Sequence, residues 1–301
     1  MASKIAGMPI CMLGCDQREV ELAKALVRLE VDLRLVGFPE EDELKKALHF
    51  AHGRDAVMGS RCVIAPMSNT DSLGQISARL DGTVQAIDLA ELIPLMPPGT
   101  PLLLGVAKPI IKGLVTQYRL RLIEIADIDE IAILNSIPTA EGAIQVAMEE
   151  TDITIHGSRC LVVGLGRCGT TLAQSLISLG AKVTVAARAS RDLARAVAMN
   201  AQPLPIDNLG TQHSFDVIFN TVPALVLPRS YLRLLPSSTV IIDIAASPGG
   251  TDFAAAEQLG IKAISALSLP GKVAPRTAGE ILISAIPRLL EQLLGEDRHD
   301  Y

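Results

Sequence analysis

No tryptophan occurs in this chain, and the few Phe and Tyr bring aromatics to only 3% of it. A stacking platform for nucleobases needs several aromatic faces, so nucleic acid fits poorly as a partner. Positive charge is not in excess either. Lys and Arg number 27 against 33 Asp and Glu, a formal net charge of −6, which argues against phosphate backbones and anionic membranes as general partners. Cysteine is sparse: Cys11, Cys15, Cys62, Cys160 and Cys168 are scattered and odd in number. That pattern fits reduced, mostly buried thiols, and no Cys/His group has zinc-ligand spacing, so no metal is expected. Long clean apolar runs are missing too. Residues 92–107 carry no charge but are broken by Pro94, Pro97, Pro98 and Pro101, which rules out a continuous membrane helix. Residues 5–15 contain Pro9, lack a small-x-small cleavage site and lead into Asp16-Gln17-Arg18. They read as a first buried strand rather than a leader, and a cytoplasmic location is the expectation.

What is present is apolar material: 49% of 301 residues is hydrophobic, enough for the cores of two ordinary domains. In the first half, PICMLGC (9–15), DLRLVGF (32–38), RCVIAPM (61–67) and PLLLGVA (101–107) are short strand-like runs. Between the first two, Leu22, Leu26 and Leu29 recur at helical spacing. Strands alternating with helices predict a parallel sheet wrapped by helices, and such sheets bind ligands at the C-terminal ends of their strands. Residues 14–18, 66–71 and 105–108 are the loops at those ends. Ser68, Asn69 and Lys108 are therefore candidate substrate-binding residues, the alternative for residues 68–71 being a helix cap. NSIPTAEGAIQVAMEE (135–150) reads as a connecting helix, with Pro138 suited to a first turn and Glu141 to the positive end of the dipole.

RCLVVGLGRCGTTL (159–172) follows. The strand Leu161-Val162-Val163 meets Gly164 for a tight turn, Gly166 for close approach to a pyrophosphate and Gly169 for helix–strand packing, and a helix with Leu172, Leu176 and Leu179 comes next. Gly164, Leu165, Gly166, Arg167, Cys168 and Gly169 are thus candidate dinucleotide-binding residues. The strand KVTVAAR (182–188) ends without the carboxylate that would bind a ribose 2′-hydroxyl. Arg188, Ser190 and Arg191 stand there instead. A guanidinium and a hydroxyl suit a 2′-phosphate, so NADP(H) is expected over NAD(H); a solvated helix start is the other reading. Asn220, Thr221 and Val222 fall near a strand end on the expected nicotinamide face. Asp243 does too, either orienting substrate or ring, or making a loop hydrogen bond. Lys272, Arg276 and Thr277 lie in a Pro/Gly-rich segment before the last helix, where positive charge and free helix amides suit a carboxylate. Lys272, Arg276 and Asp243 are the candidate catalytic residues. His49, His52, His156, His213 and His299 sit in turn-like or terminal polar contexts, and none stands out for proton transfer.

The combination of NSIPTAEGAIQVAMEETDITIHGSRCLVVGLGRCG, NTVPALVL and LPGKVAPRTAG, with MLGCDQREVELAKALVRLEVDLRLVGF near the start, closely resembles the dipicolinate synthase A-subunit family of spore-forming bacteria across nearly the whole chain. Less specific parts resemble alanine dehydrogenases and D-2-hydroxyacid dehydrogenases. The family resemblance implies oxidation of a dihydrodipicolinate-type intermediate of the lysine pathway, a small dicarboxylate, with a nicotinamide cofactor, which the residues after the second strand would make NADP. It also implies a partner, the flavoprotein-like B-subunit of dipicolinate synthase, and a mother-cell cytoplasm during sporulation. A non-catalytic NADP-binding subunit, or an alanine- or 2-hydroxyacid-dehydrogenase-like oxidoreductase, remains the alternative, and a homo-oligomer stays open.

The expected fold is α/β, with two doubly wound parallel-sheet domains, the second a Rossmann dinucleotide-binding domain, and a cleft between them. Residues 1–120 are expected as a flavodoxin-like substrate domain and 121–150 as a connecting segment and helix. Residues 151–280 are expected as the Rossmann NADP-binding domain, and 281–301 as a helix packing back near the domain junction.

Overall fold

The structure, a computed structural model, describes residues 3–14, 16–67, 70–71, 73–80 and 83–295, and of residues 77–80 and 83–85 the backbone alone. The chain forms two compact units. One runs to Ala132 and takes the chain up again at Pro275; the other is Ile133–Ala274.

The first unit contains β1 (Pro9–Leu13), α1 (Gln17–Arg28), β2 (Asp32–Val36), β3 (Leu48–His49), α2 (Gly53–Val57) and β4 (Cys62–Ile64). Then come the hairpin β5 (Gln75–Leu80) and β6 (Thr83–Asp88), α3 (Leu89–Leu92), β7 (Pro101–Leu104), α4 (Pro109–Gln117) and β8 (Arg121–Glu124). Six strands form one parallel sheet in the order β3-β2-β1-β4-β7-β8, and β5 and β6 pair antiparallel beside it. With the hairpin and the two-residue edge strand β3 set aside, the remaining five strands run β2-β1-β4-β7-β8, the 2-1-3-4-5 order of a flavodoxin-like sheet, and β3 extends it by one short edge strand. Residues 121–124, expected as part of a connector, are the sixth strand: Leu102 and Leu103 of β7 register against Leu122 and Ile123.

The C-terminal helix, Pro275–Gly295, begins earlier than expected and belongs to this first unit. Its buried face carries Ala278, Ile281, Leu282, Ala285, Ile286 and Leu290. Gly279 lets its backbone close on α1, since a methyl there would come within 2.9 Å of Glu21 Cβ and 3.3 Å of Arg18 O. Arg276 and Thr277 therefore sit in the helix's first turn rather than ahead of it.

The second unit starts within α5 (Asp129–Glu150). It continues through β9 (Arg159–Val163), α6 (Arg167–Ser178), β10 (Lys182–Ala187), α7 (Ser190–Ala198), β11 (Gln202–Pro205) and β12 (Val217–Asn220). It ends with α8 (Arg229–Leu232), β13 (Val240–Asp243), α9 (Phe253–Gln258), β14 (Lys262–Ser265) and α10 (Leu269–Val273). Its parallel sheet has the order β11-β10-β9-β12-β13-β14, the 3-2-1-4-5-6 order of a dinucleotide-binding sheet. Strand periodicity sorts the side chains to two faces. Cys160 and Val162 of β9 join Leu172 and Leu176 of α6 and Ala143 and Ala147 of α5 on one face. Leu161 and Val163 join Ile218, Tyr231 and Ile241 on the other. Each fully buried Leu, Ile, Val or Phe side chain of this kind contributes about 1.5–3 kcal/mol, which is why the central strands read as unbroken apolar runs.

Among the described residues Cys11, Cys62 and Cys160 are buried, Cys168 is half-buried, and all four are free thiols. Burial pushes Cys11 up to about 12. Cys15 lies outside the described residues. No helix among the described residues is long and apolar enough to cross a membrane.

Candidate nucleotide site and its counterpart in the first unit

The first strand of each unit leads into a helix, and the two helices begin differently. In the second unit β9 ends at Val163, and Gly164 turns the chain with φ +92°. That conformation favours glycine, and a methyl there would also meet Thr221 Oγ1 at 2.6 Å. Gly169, on the first turn of α6, lies against the turn it follows: a Cβ would come within 2.2 Å of Gly164 O. Gly166 is the N-cap of α6, offers no side-chain cap, and has open space where a Cβ would stand. The first amides of α6 thus have no side-chain cap, and among the described residues no heavy atom lies within 4 Å of where a Gly166 Cβ would stand. That is the cradle in which a pyrophosphate sits on helix amides and a positive dipole end.

In the first unit the equivalent position is closed by the chain's own carboxylates. Asp16 caps α1 by accepting Arg18 N at 2.8 Å, and its carboxylate is also gripped by the Arg18 guanidinium. Glu19 accepts from Asp16 N at 2.9 Å and, through its other oxygen, from Met67 N at 2.8 Å. The helix end is thereby neutralised internally, and the loop after β4 is tied to α1. Glu19 is buried, and burial beside Asp16 pushes its carboxyl up to about 8. Because this folded-state value lies above the ordinary carboxylate value of 4.5, the folded chain keeps a proton that the unfolded chain releases between those limits. Stability then falls as pH rises through that window, by up to about 1.4 kcal/mol per pH unit. Glu19→Gln is expected to flatten this slope. Denaturant unfolding of wild type and variant at about pH 5.5 and about pH 8.5 measures it, and parallel pH dependences would contradict it.

Around the second unit's loop the sequence-expected residues fall into two groups. Leu165 is buried and Cys168 half-buried, with Gly166 and Arg167 exposed. Arg188 follows β10 and is exposed, with no hydrogen bond or ion pair among the described residues. Ser190 and Arg191 open α7, whose N-cap Ala189 supplies no side-chain bond. The nearest carboxylate in sequence, Asp192, is engaged by Arg195 at 3.2 Å and Arg191 at 3.7 Å. Arg188 and Arg191 thus stand at the C-terminal end of the second strand of the order, beside the glycine loop that follows the first.

Asn220, Thr221 and Asp243 make hydrogen bonds within the unit. Asn220 is fully buried: its amide nitrogen donates to Val222 O and to Asp243 Oδ1, both at 3.0 Å, and its oxygen accepts from Val222 N. Thr221 Oγ1 donates to Val163 O at 2.9 Å. Asp243, 2% exposed, accepts from Asn220 Nδ2, Ala245 N, Gly250 N and Thr251 Oγ1 at 2.7–3.0 Å. With four donors on its two oxygens it ties the loops after β12 and β13 together. Asp243 thus makes the loop hydrogen bonds that were the other reading of it, and the side chain of Asn220, a candidate cofactor-binding residue, is engaged by Val222 and Asp243.

Lys272, on α10, is exposed and has no side-chain partner among the described residues. Arg276 is exposed and pairs with Glu280 at 3.1 Å, and Thr277 is exposed beside it. Lys108 is the N-cap residue of α4 and half-buried. Ser68 and Asn69 lie outside the described residues. Sequence reading missed the Asp16–Arg18–Glu19 cluster, although Asp16-x-x-Glu19 is a capping-box spacing.

An uncapped glycine loop between a buried strand and a long helix, in a 3-2-1-4-5-6 sheet, defines a Rossmann-type NAD(P)-binding domain in the second unit, and a family model for NAD(P)-binding matches residues 153–255. An L-alanine dehydrogenase shares this fold at 14% identity, with a TM-score of 0.64 over 95% of this chain and 90% of its own. The family model for the N-terminal domain of the dipicolinate synthase A-subunit matches residues 9–126. The dipicolinate synthase A-subunit of Bacillus subtilis (strain 168) is 36% identical over 296 residues, 97% of this chain and 99% of the relative. The crystal structures of the A-subunit from Bacillus halodurans and B. subtilis superpose with TM-scores of 0.89 and 0.87, at 36% and 35% identity. They cover 95% and 98% of this chain and 98% and 99% of their own. The chain belongs to the dipicolinate synthase A-subunit family.

Proposed function

We propose that this chain oxidises a dihydrodipicolinate-type intermediate of the lysine pathway to dipicolinate with NADP, as one half of a two-subunit enzyme in the cytoplasm of the sporulating mother cell. The observation that carries the reading is the open α6 N-terminus over Gly166, in a chain whose relatives are named as A-subunits of dipicolinate synthase. When bound, the nicotinamide supplies a hydride acceptor: a dihydropyridine dicarboxylate loses one hydrogen as hydride and one as a proton and becomes an aromatic pyridine. Aromatisation favours that direction, so the chain's task is mainly to position the substrate.

Gly164 to Gly169 hold the pyrophosphate, and Arg188, Ser190 and Arg191 the 2′-phosphate. Lys272, Arg276 and Thr277, with Ser68, Asn69 and Lys108, hold the two carboxylates of the substrate. In a chain of net charge −6, such local cations must overcome an unfavourable background. Charge-assisted hydrogen bonds of this kind contribute roughly 1.5–3 kcal/mol each, about ten- to a hundredfold in affinity.

Lys272→Met and Arg276→Met are expected to weaken dipicolinate binding by about that factor and to leave NADPH binding intact, as read by calorimetry. Loss of NADPH affinity with dipicolinate affinity retained would move both residues to the cofactor site.

A further inference from the structure

Along the flank of α6, away from its glycine-loop end, α5 and α6 enclose an open groove of about 750 Å³. Each helix lines it with residues at i, i+3, i+4, i+7 and i+8, starting from Glu141 on α5 and Thr171 on α6. Ile144 lies in its floor, and Met148 and Leu179 stand on its rims, 60% and 47% exposed. The apolar stripe runs on along α5 to Ile137 and Ile133, also about half exposed. At 100° per residue, positions 133, 137, 141, 144 and 148 fall within an arc of about 80°. Single exposed apolar residues are ordinary, but several on one helix face, here flanking Glu141, mark an interaction surface.

We propose that this face docks an amphipathic helix of the enzyme's second subunit, apolar along one side and carrying Lys or Arg where it meets Glu141 and Glu149. The proposal rests on the two-subunit reading above. Charge selects the occupant. The groove is lined by two carboxylates and by no Lys, Arg or His. Glu141 has no ion-pair partner among the described residues, and Glu149 accepts only the Gln145 amide, at 2.8 Å.

A second copy of this chain fits less well. In an isologous pairing of α5 with itself, the stripe from Ile133 to Met148 has its midpoint beside Glu141. The two-fold axis would then press that carboxylate against its own copy, and burying like charges is costly. An incoming helix would also brace the nucleotide domain, because Ser136 Oγ and Thr171 Oγ1, 2.6 Å apart, already tie α5 to α6.

The test mixes the purified full-length chain with the purified second subunit. Calorimetry measures their association, and sedimentation characterises each protein separately. Met148→Glu and Glu141→Lys alter exposed side chains, so unchanged melting and NADPH binding serve as the fold control. Each is expected to weaken association about tenfold or more, and added salt is expected to weaken the wild-type complex. Unchanged association of both variants, with the wild type binding, would overturn this docking face alone. Conversion of a dimer of this chain into monomers by Met148→Glu would overturn it in favour of a second copy. Failure of the wild-type subunits to associate at all would overturn the two-subunit reading together with it.

Discussion

Gly166→Ala is expected to leave folding intact and to weaken NADPH binding about a hundredfold or more. The added methyl meets no heavy atom within 4 Å, and the backbone there, at φ −79°, suits alanine. An N-cap glycine and alanine differ by no more than about 1 kcal/mol, so melting should barely move. The space the methyl takes is where a pyrophosphate must approach the backbone. Gly169→Ala makes the contrast. Its methyl would lie 2.2 Å from Gly164 O and 3.0 Å from Gly164 C. Both are backbone atoms with little room to yield, so that variant should lose stability and binding together and say little about the ligand. Thermal melts with NADPH calorimetry on both variants separate the two effects. A Gly166→Ala protein that binds NADPH as the wild type does would remove the nucleotide from this loop.

Removing the guanidinium at Arg188 is expected to weaken NADPH by about ten- to a hundredfold and NADH by less than about twofold. Arg188 is exposed just past β10 with no competing partner among the described residues, so its donors are free for a phosphate. Its planar fork matches phosphate oxygens, which a lysine replacement would match less well. Asp192 does not counter it, being held by Arg191 and Arg195. Arg188→Ala with Arg191→Ala should lower the salt dependence of NADPH binding as well as its affinity. Equal affinity of the wild type for NADPH and NADH would contradict the preference.

The elements legible from sequence were those with a strong period or a strong turn. The runs around Leu161, Ile218 and Ile241 announced buried parallel strands because both faces of the sheet are covered. The glycine loop was legible because each glycine answers a separate steric demand. Edge strands were harder to see. Leu48–His49, Gln202–Pro205 and Arg121–Glu124 are short and carry exposed or proline positions, so periodicity says little about them. The hairpin Gln75–Asp88 carries a usable signal, strand-like stretches flanking Asp81-Gly82, that a search for alternating strands and helices passes over.

The side chains hardest to read were Asn220 and Asp243. Strand-end polar residues read equally well from sequence as ligands or as loop ties, and the four donors around Asp243 show the ties. Glu19 shows the reverse case. A capping-box residue that looks purely local reaches across to Met67, 48 positions away.

The most direct measurement follows dipicolinate formation and NADP reduction together, using freshly generated dihydrodipicolinate, first with this chain alone and then with its partner subunit present. The chain alone, given NADP, is expected to form dipicolinate and to reduce one NADP for each molecule formed, and Gly166→Ala is expected to abolish both. Dipicolinate formed with no NADP reduced, or formed only when the partner is present and equally well with the Gly166→Ala protein, would contradict that expectation.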